Sequence, residues 1–430
     1  MRFRTILFAV IVLGMCILPA RGQQPPATNA GEPLKLTDLL AEAERNHPSI
    51  LAASRMVDAK RARVAQARAL PDPQVFAGYV GDAAPFKNQK NDPASFRQFG
   101  ISQEFPYPGK RDLRAQVAAK DADAENWNVE TARRRVRAEV RLAFYDLVTT
   151  RKALEITEAN KGLLEKLARI TEEKYKVGKG LQQDLLRAQV EVTRALQRLT
   201  VLRQREHALE AQLNSLLLRP VDAPMSALAP EAKPLFAYSL DELLQRGVEN
   251  APEIRRQEQL IEQGQLAVNL AQKEFYPDFG VSWEYMNRTS GQPEMFGLRF
   301  TMNLPVFNKA RRREAVTEAT ATQASARQMR EAVRTELLFR VKEQYLQART
   351  SEELLTLYSK ALVPQSMLTL DSSLSAYQTG TLDFLSVISN LTATLDFELG
   401  YHEELASFQK ALARLEEITG TDFQKQEARP

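Results

Sequence analysis

The strongest constraint in this sequence is an internal repeat, in which the same landmarks occur twice in the same order. The matched pairs are Asn46-His47-Pro48 with Asn250-Ala251-Pro252, Pro71-Asp72 with Pro277-Asp278, Phe105-Pro106 with Leu304-Pro305, and Tyr175-x-x-Gly178 with Tyr377-x-x-Gly380. Their offset stays between 199 and 206 residues, which a chance likeness between two coiled-coil segments does not explain. Self-similarity at a fixed offset is typical of a duplicated structural unit.

Each copy predicts the same succession of elements: a short helix, a second helix that begins with proline, two strands and a long helical hairpin. The first copy is assigned to residues 36–218, with strands at about 74–81 and 97–105 and a hairpin over 110–217. The second is assigned to residues 239–420, with strands at about 278–286 and 296–304 and a hairpin over 310–419. The proline-rich residues 219–238 are predicted to link the copies, and residues 23–35 and 421–430 to be flexible.

The N-terminus has the pattern of an export signal. Arg2 and Arg4 precede an apolar run over residues 5–18, and Ala20-Arg21-Gly22 offers a small-x-small cleavage site. The pattern predicts a secretory signal peptide over residues 1–22, with a retained membrane anchor as the alternative. The single cysteine, Cys16, lies inside the apolar run, which disfavours a lipoprotein signal.

Removal of residues 1–22 takes away three arginines and no acid, so 58 basic residues become 55 against 54 acidic ones. A nearly neutral mature chain gives no support for nucleic-acid binding. The mature chain also has no cysteine, which excludes disulfides and cysteine metal sites. An exported chain with no further long apolar run is expected to be periplasmic or to form an outer-membrane barrel.

The predicted strands alternate between apolar and polar residues with period two, which is the signature of strands with two different faces. The apolar faces carry Phe99, Ile101, Phe105, Phe279, Val281, Trp283, Tyr285, Phe296, Leu298 and Phe300. The polar faces carry Ser102, Glu104, Ser282, Glu284, Arg299, Thr301 and Asn303. A soluble sandwich would need a second sheet to cover the apolar face, and the sequence offers no other strand-like segment. We therefore expect the first set to face lipid and the second to face a barrel lumen.

Strand number then predicts oligomerisation. A strand of about nine residues spans roughly 30 Å, enough for a tilted crossing of the apolar band of a membrane. Four strands cannot close a barrel, and an open sheet edge is not tolerated in hydrocarbon. Two copies would give eight strands and a filled interior, whereas three would give twelve strands and a passage. The strand number thus predicts an oligomer, and a trimer is the closure that leaves a passage.

Local signals predict where the helices begin and end, and the length of the longest helix indicates its role. Thr37 is predicted to cap the first helix, and Ser239 with Glu242 forms a capping-box pattern in the second copy. Gly178 and Gly380 are predicted to supply a positive φ at the hairpin tips. The helix predicted from residue 110 to 177 would be about 100 Å long, and its link to lipid-facing strands favours a periplasm-crossing tube over a solvated coiled coil.

These features resemble the TolC family of outer-membrane efflux proteins over nearly all of residues 36–420. The resemblance is carried by the duplicated Asn-x-Pro opening, the strand end Leu304-Pro305-Val306-Phe307, and the segments after the tips, Asp184-Leu185-Leu186-Arg187-Ala188 and Asp383-Phe384-Leu385-Ser386-Val387. The segments Ile101-Ser102-Gln103-Glu104-Phe105 and Pro108-Gly109-Lys110-Arg111 are most similar to the heavy-metal (cobalt-zinc-cadmium) branch.

The resemblance implies a mainly α fold with a small β part, in which a homotrimer forms a 12-stranded barrel in outer-membrane lipid and an α-helical barrel in the periplasm. It also implies docking of the helical tip to a periplasmic adaptor (membrane fusion protein) and an inner-membrane RND pump, with no cofactor and no catalysis. The implied aperture residues are Gly178, Asp184, Arg187, Gly380, Asp383, Ser386 and Ser389. Ser386 and Ser389 stand where acids often ring the family aperture, so acidic gating is in doubt, and Asp383 could instead cap a helix.

Other functions have less support in the sequence. His47, His207 and His402 are far apart and form no ligand pair at helical spacing. No nucleophile or metalloprotease motif is present, so a passive duct is expected rather than an enzyme. The alternatives are an exit duct for drugs or secreted polypeptides, as in type I secretion, and a soluble periplasmic coiled-coil adaptor. Detergent dependence of the purified protein would separate a channel from an adaptor.

Overall fold

A computed structural model describes residues 33–81, 94–229, 231–288 and 292–423 of the chain. The predicted signal peptide and most of the predicted flexible segments at both ends lie outside the described residues, as does much of the first strand–strand loop. The described part is mainly helical and contains one sheet. The mainly α fold with a small β part is confirmed.

The two repeats have the same order of elements. The first comprises α1 (Leu36–Asn46), α2 (Pro48–Arg68), β1 (Gln74–Val80), β2 (Phe96–Phe105), α3 (Lys110–Lys176) and α4 (Gln182–Leu216). The second comprises α5 (Leu240–Asn250), α6 (Pro252–Lys273), β3 (Asp278–Arg288), β4 (Met295–Asn303), α7 (Lys309–Leu357), a π-helical turn (Tyr358–Leu362), α8 (Val363–Thr379) and α9 (Phe384–Thr419). α3 and α4 form one long hairpin, and α7, α8 and α9 form the other.

The helix starts agree only in part with the predicted caps. Ser239 and Glu242 form the predicted capping box, with the Glu242 N–H donating to the Ser239 hydroxyl. The prediction for Thr37 is wrong, because α1 begins at Leu36 and Lys35 occupies the capping position without a side-chain hydrogen bond. The earlier start buries Leu36, which is 1% exposed, and this apolar burial outweighs the modest gain from a polar cap.

The outgoing arm of the second hairpin, which was predicted over residues 310–419, is not one continuous helix. The π-helical turn Tyr358–Leu362 interrupts it, and Pro364 follows in the first turn of α8. Proline has no N–H and its ring clashes with the carbonyl four residues earlier, so a helix interior accommodates it by a local change of winding. The apolar periodicity continues through Pro364, so the pattern alone did not predict the break.

The four strands form one antiparallel sheet in the order β1-β2-β3-β4. The central pair joins the two repeats, since β2 of the first copy pairs with β3 of the second over Phe96–Phe105 and Phe279–Arg288. One glycine allows close packing on the polar face: a Cβ on Gly100 would lie 2.2 Å from the Phe76 ring. The outer edges of β1 and β4 have no strand beside them in the described part of the chain.

Two equivalent cores hold the bases of the hairpins together. In the first repeat, α1, α3 and α4 bury Leu39, Val140 and Leu213. In the second, α5, α7 and α9 bury Leu243, Val341 and Leu415. A third core lies toward the tip, where α9 packs against α3 of the first hairpin and against α8 of its own hairpin. The long helices are therefore held at mid-length and toward the tip, and the sheet adjoins the N-terminal ends of α3 and α7.

Candidate functional site

One face of the sheet is a continuous apolar surface. Ile101 is directly opposite Trp283, which is opposite Leu298, and Phe99 is likewise aligned with Tyr285 and Phe296. The remaining predicted lipid-facing residues, Phe105, Phe279, Val281 and Phe300, lie on the same face in cross-strand register. Phe296 is 77% exposed and Phe300 is 74% exposed. A contiguous aromatic surface of this kind needs a partner or lipid to cover it.

The opposite face carries the predicted lumen residues. Ser102, Ser282 and Arg299 are aligned across β2, β3 and β4. Arg299 donates to the Glu284 carboxylate at 3.0 Å, and the Glu284 side chain is 8% exposed. Glu104, Thr301 and Asn303 lie on the same face and are exposed. The two faces thus differ in polarity as sharply as the wall of a water-filled barrel requires.

A buried ion cluster joins the two repeats where the sheet meets the helices. Lys110, 1% exposed, lies 2.9 Å from the Asp278 carboxylate and 3.1 Å from that of Glu274. Asp278 also accepts the Tyr107 N–H at 2.7 Å. This junction was not predicted from the sequence, where Lys110 stands out only in the segment Pro108-Gly109-Lys110-Arg111. A signal for it was present, because Lys110 follows the prolines after β2 and Asp278 follows the proline before β3.

The hairpin tips end in the same way in both repeats. Gly178 has φ +72° and Gly380 has φ +82°, so both adopt the left-handed conformation that glycine favours. The Lys179 N–H donates to the Lys174 carbonyl at 2.8 Å, and the Thr381 N–H to the Ala376 carbonyl at 3.0 Å. These are Schellman-type endings, which turn each long helix sharply into its return helix.

Asp383 caps α9. Its carboxylate accepts the Ser386 N–H at 3.2 Å and the Ser386 hydroxyl at 2.6 Å. These hydrogen bonds lower the pKa of Asp383, the hydroxyl contributing most. Ser386 is therefore committed to the cap, whereas Ser389 is exposed on the next turn.

Asp184 occupies the first turn of α4 and lies near Asp383 of the other repeat. Burial raises the pKa of Asp184, and the nearby Asp383 carboxylate raises it further. Arg187, one turn later and exposed, acts in the opposite direction. The tip thus brings together one acid from each repeat. The charged form of Asp383 is stabilised by its capping hydrogen bonds, whereas the charged form of Asp184 is destabilised by partial burial.

The two acids predict opposite effects of pH on the tip. The raised pKa of Asp184 means that its contribution to stability is greatest at acid pH and falls as pH rises through that pKa. The lowered pKa of Asp383 means that its contribution is present above its unfolded-state pKa and is lost as pH falls through the folded-state value. We expect Asp184→Asn to slow amide hydrogen exchange at the tip at neutral pH, because the costly charge is gone.

The matched control is Asp383→Asn, which keeps a capping side chain, with Asp383→Ala as the variant that loses the cap. Asp383→Ala should exchange faster at the start of α9 at neutral pH. An Asp184→Asn protein whose tip exchange has the wild-type pH profile would contradict the assignment.

Among the described residues, no helix combines the length and apolar character that a membrane-spanning helix needs.

An open sheet with one apolar and one polar face, carried on two long helical hairpins, defines the protomer of a membrane channel. The chain belongs to the outer membrane efflux protein family, whose model matches residues 39–217 and 243–421. The two matched segments coincide with the two repeats. The family places the protein in the outer membrane, extending into the periplasm, as an efflux channel, and the resemblance found in the sequence is confirmed.

Similar proteins agree with this assignment. The chain is 22% identical over 404 residues to the cobalt-zinc-cadmium resistance protein CzcC of Cupriavidus metallidurans, covering 91% of both chains. The outer membrane protein VceC of Vibrio cholerae has a TM-score of 0.76 at 16% identity, with 90% of this chain and 96% of VceC covered. The channel protein CusC has a TM-score of 0.77 at 14% identity, with 90% and 92% covered.

Proposed function

We propose that three copies of this chain form the exit duct of a tripartite efflux system. The observation that carries the proposal is the four-stranded sheet, which has an exposed apolar face and, within the described residues, two outer edges without a neighbouring strand. Each unpaired backbone group in hydrocarbon costs several kcal/mol, so the edges must meet those of other copies. Three copies supply twelve strands, enough to leave a passage lined by Ser102, Glu104, Ser282, Glu284, Arg299, Thr301 and Asn303.

The helical tips are the proposed docking surface for a periplasmic adaptor and an inner-membrane RND pump, which supplies the energy. Asp184, Arg187, Asp383, Ser386 and Ser389, with the turns at Gly178 and Gly380, are proposed to surround the aperture. The cap that holds Asp383 removes it from the strongest cation-binding role, so Asp184 is the better candidate for a charge that faces passing ions.

Heavy-metal cations are the proposed cargo. Support comes from the similarity to the cobalt-zinc-cadmium resistance protein CzcC along 91% of both chains, and from the strand-end segments noted in the sequence. A wide water-filled duct discriminates little between solutes, so the specificity would come from the pump.

A susceptibility screen of a deletion strain tests the cargo. We expect higher sensitivity to zinc, cobalt or cadmium, restored by the wild-type gene, and unchanged sensitivity to a panel of drugs. Sensitivity to drugs alone would favour a drug duct, and loss of a secreted polypeptide would favour type I secretion. A purified protein that stays soluble and monomeric without detergent would overturn the channel itself.

A further inference from the structure

We propose that the seam between neighbouring subunits repeats the contact between the two halves of one subunit, with Asp72 of one copy bound to Lys309 of the next and Phe76 paired with Thr301. The inference rests on the proposed oligomeric duct and adds to it the residues and strand register of the seam. Its basis is the internal repeat, because a ring made of duplicated protomers alternates between contacts within a chain and equivalent contacts between chains.

The template is the junction inside one subunit. There β2 pairs with β3. Where the sheet meets the helices, Lys110 of the first repeat binds Asp278 of the second at 2.9 Å. Lys110 is the first residue of α3, and Gly109 before it has φ +88°. Asp278 follows Pro277 and begins β3.

The repeat assigns the equivalent residues in the other pair of edges. Pro71-Asp72 matches Pro277-Asp278 at an offset of 206, so Asp72 stands where Asp278 stands. Phe105-Pro106 matches Leu304-Pro305 at an offset of 199, which places Lys309 where Lys110 stands. The backbone agrees, because Asn308 before α7 is left-handed with φ +62°, as Gly109 is before α3.

Asp72 and Lys309 are available for this role. Both are exposed, and no ion pair to either is seen among the described residues. Asp72 precedes β1 at one edge of the sheet and Lys309 follows β4 at the other edge. Three strand spacings of about 4.8 Å separate these edges, so the two side chains meet only if a second copy brings its β1 beside β4.

The same offsets fix the register of the seam. Within a subunit Ser102 of β2 is opposite Ser282 of β3. The offset of 199 converts Ser102 into Thr301 of β4, and the offset of 206 converts Ser282 into Phe76 of β1. Thr301 is therefore placed opposite Phe76 of the next copy. Asn303 is then opposite Gln74, and Phe300 is opposite Ala77. This register keeps Phe300 and Ala77 on the apolar face, since Ala77 pairs with Phe99. A slip of one residue would turn apolar side chains toward the polar face.

The seam differs from its template in one respect. Glu274, the second acid beside Lys110, corresponds at an offset of 206 to Arg68, which pairs with Asp112 of its own subunit at 3.4 Å. Lys309 therefore has a single acidic partner in the seam, whereas Lys110 has two. The Asp72–Lys309 pair should accordingly respond strongly to a charge change.

Cysteine cross-linking tests the register, because the chain without its predicted signal peptide has no cysteine. Gln74→Cys with Asn303→Cys should yield covalently closed trimers on oxidation in membranes, because paired strand positions satisfy disulfide geometry. The matched control, Gln74→Cys with Thr301→Cys, lies two residues out of register on the same face and should cross-link far less. Trimers that form without in-register cross-links would overturn the seam and leave the trimeric duct standing; absence of any oligomer would overturn both.

A charge exchange tests the ion pair. Asp72→Lys and Lys309→Asp should each lower the temperature at which detergent-solubilised trimers dissociate, and the double variant should recover most of the loss. A double variant no more stable than the worse single variant would show that the two side chains do not meet.

Discussion

Phe300→Arg is expected to lose most of its folded outer-membrane form, whereas Thr301→Arg is expected to retain it. Phe300 lies near the middle of β4 on the apolar face and is 74% exposed. An arginine on the lipid face near the bilayer midplane costs about 2–4 kcal/mol. Thr301, the next residue, lies on the polar face, where an arginine would be hydrated by the lumen.

The measurement is the urea midpoint of the reconstituted protein together with the heat-modifiable fraction in membranes. Both variants introduce an arginine into β4 at adjacent positions, so the comparison isolates the direction of the side chain. Equal stability of the two variants, or a greater loss for Thr301→Arg, would show that lipid does not cover the aromatic face.

Lys110→Met is expected to destabilise the junction of sheet and helices by roughly 3 kcal/mol. Removal of one partner from a buried ion pair costs about 3–5 kcal/mol, because a desolvated charge is left uncompensated. The lower end of this energy range applies, because the Asp278 side chain is 22% exposed and the Glu274 side chain is 39% exposed. Water can therefore solvate both carboxylates in part when the ammonium group is removed. The change also removes the donor to the Tyr276 carbonyl at 3.1 Å.

Urea unfolding of the purified protein checks this expectation, with Lys179→Met as the control because Lys179 is exposed at the hairpin tip. Surface changes of that kind are usually within about 0.5 kcal/mol of wild type. Addition of Asp278→Asn to Lys110→Met should recover part of the lost stability, because it removes one of the two carboxylates left without a cation. Identical unfolding of Lys110→Met and Lys179→Met would exclude a stabilising role for the cluster.

Much of the fold is predictable because its signals are local or repeated. Period-two alternation fixes which residues share a face of the sheet, and two copies of one pattern reinforce each weak signal. The direction of the Phe300 and Thr301 side chains follows from that alternation alone. The lipid and lumen roles of these faces stay predictions that the proposed variants test.

What could not be predicted depends on contacts between distant parts of the chain. The burial of Lys110 follows from the approach of Asp278 and Glu274, and composition alone marks lysine as a surface residue. The start of α1 was misplaced because burial of Leu36 is a tertiary effect. The role of Asp383 was left open between lumen and cap, and the distances from Ser386 favour the cap.

The pairing of β2 with β3 has a consequence for biogenesis. Ile101 finds Trp283, its neighbour in the sheet, only after 182 further residues have emerged. At a synthesis rate of about 5–20 residues per second this takes roughly 10–40 s. During that interval strands β1 and β2 expose aromatic side chains, and the outer edge of β2 has backbone groups without a pairing strand. Such an edge promotes aggregation. We therefore expect the β1–β2 pair to need protection from aggregation until the second half of the chain has been synthesised.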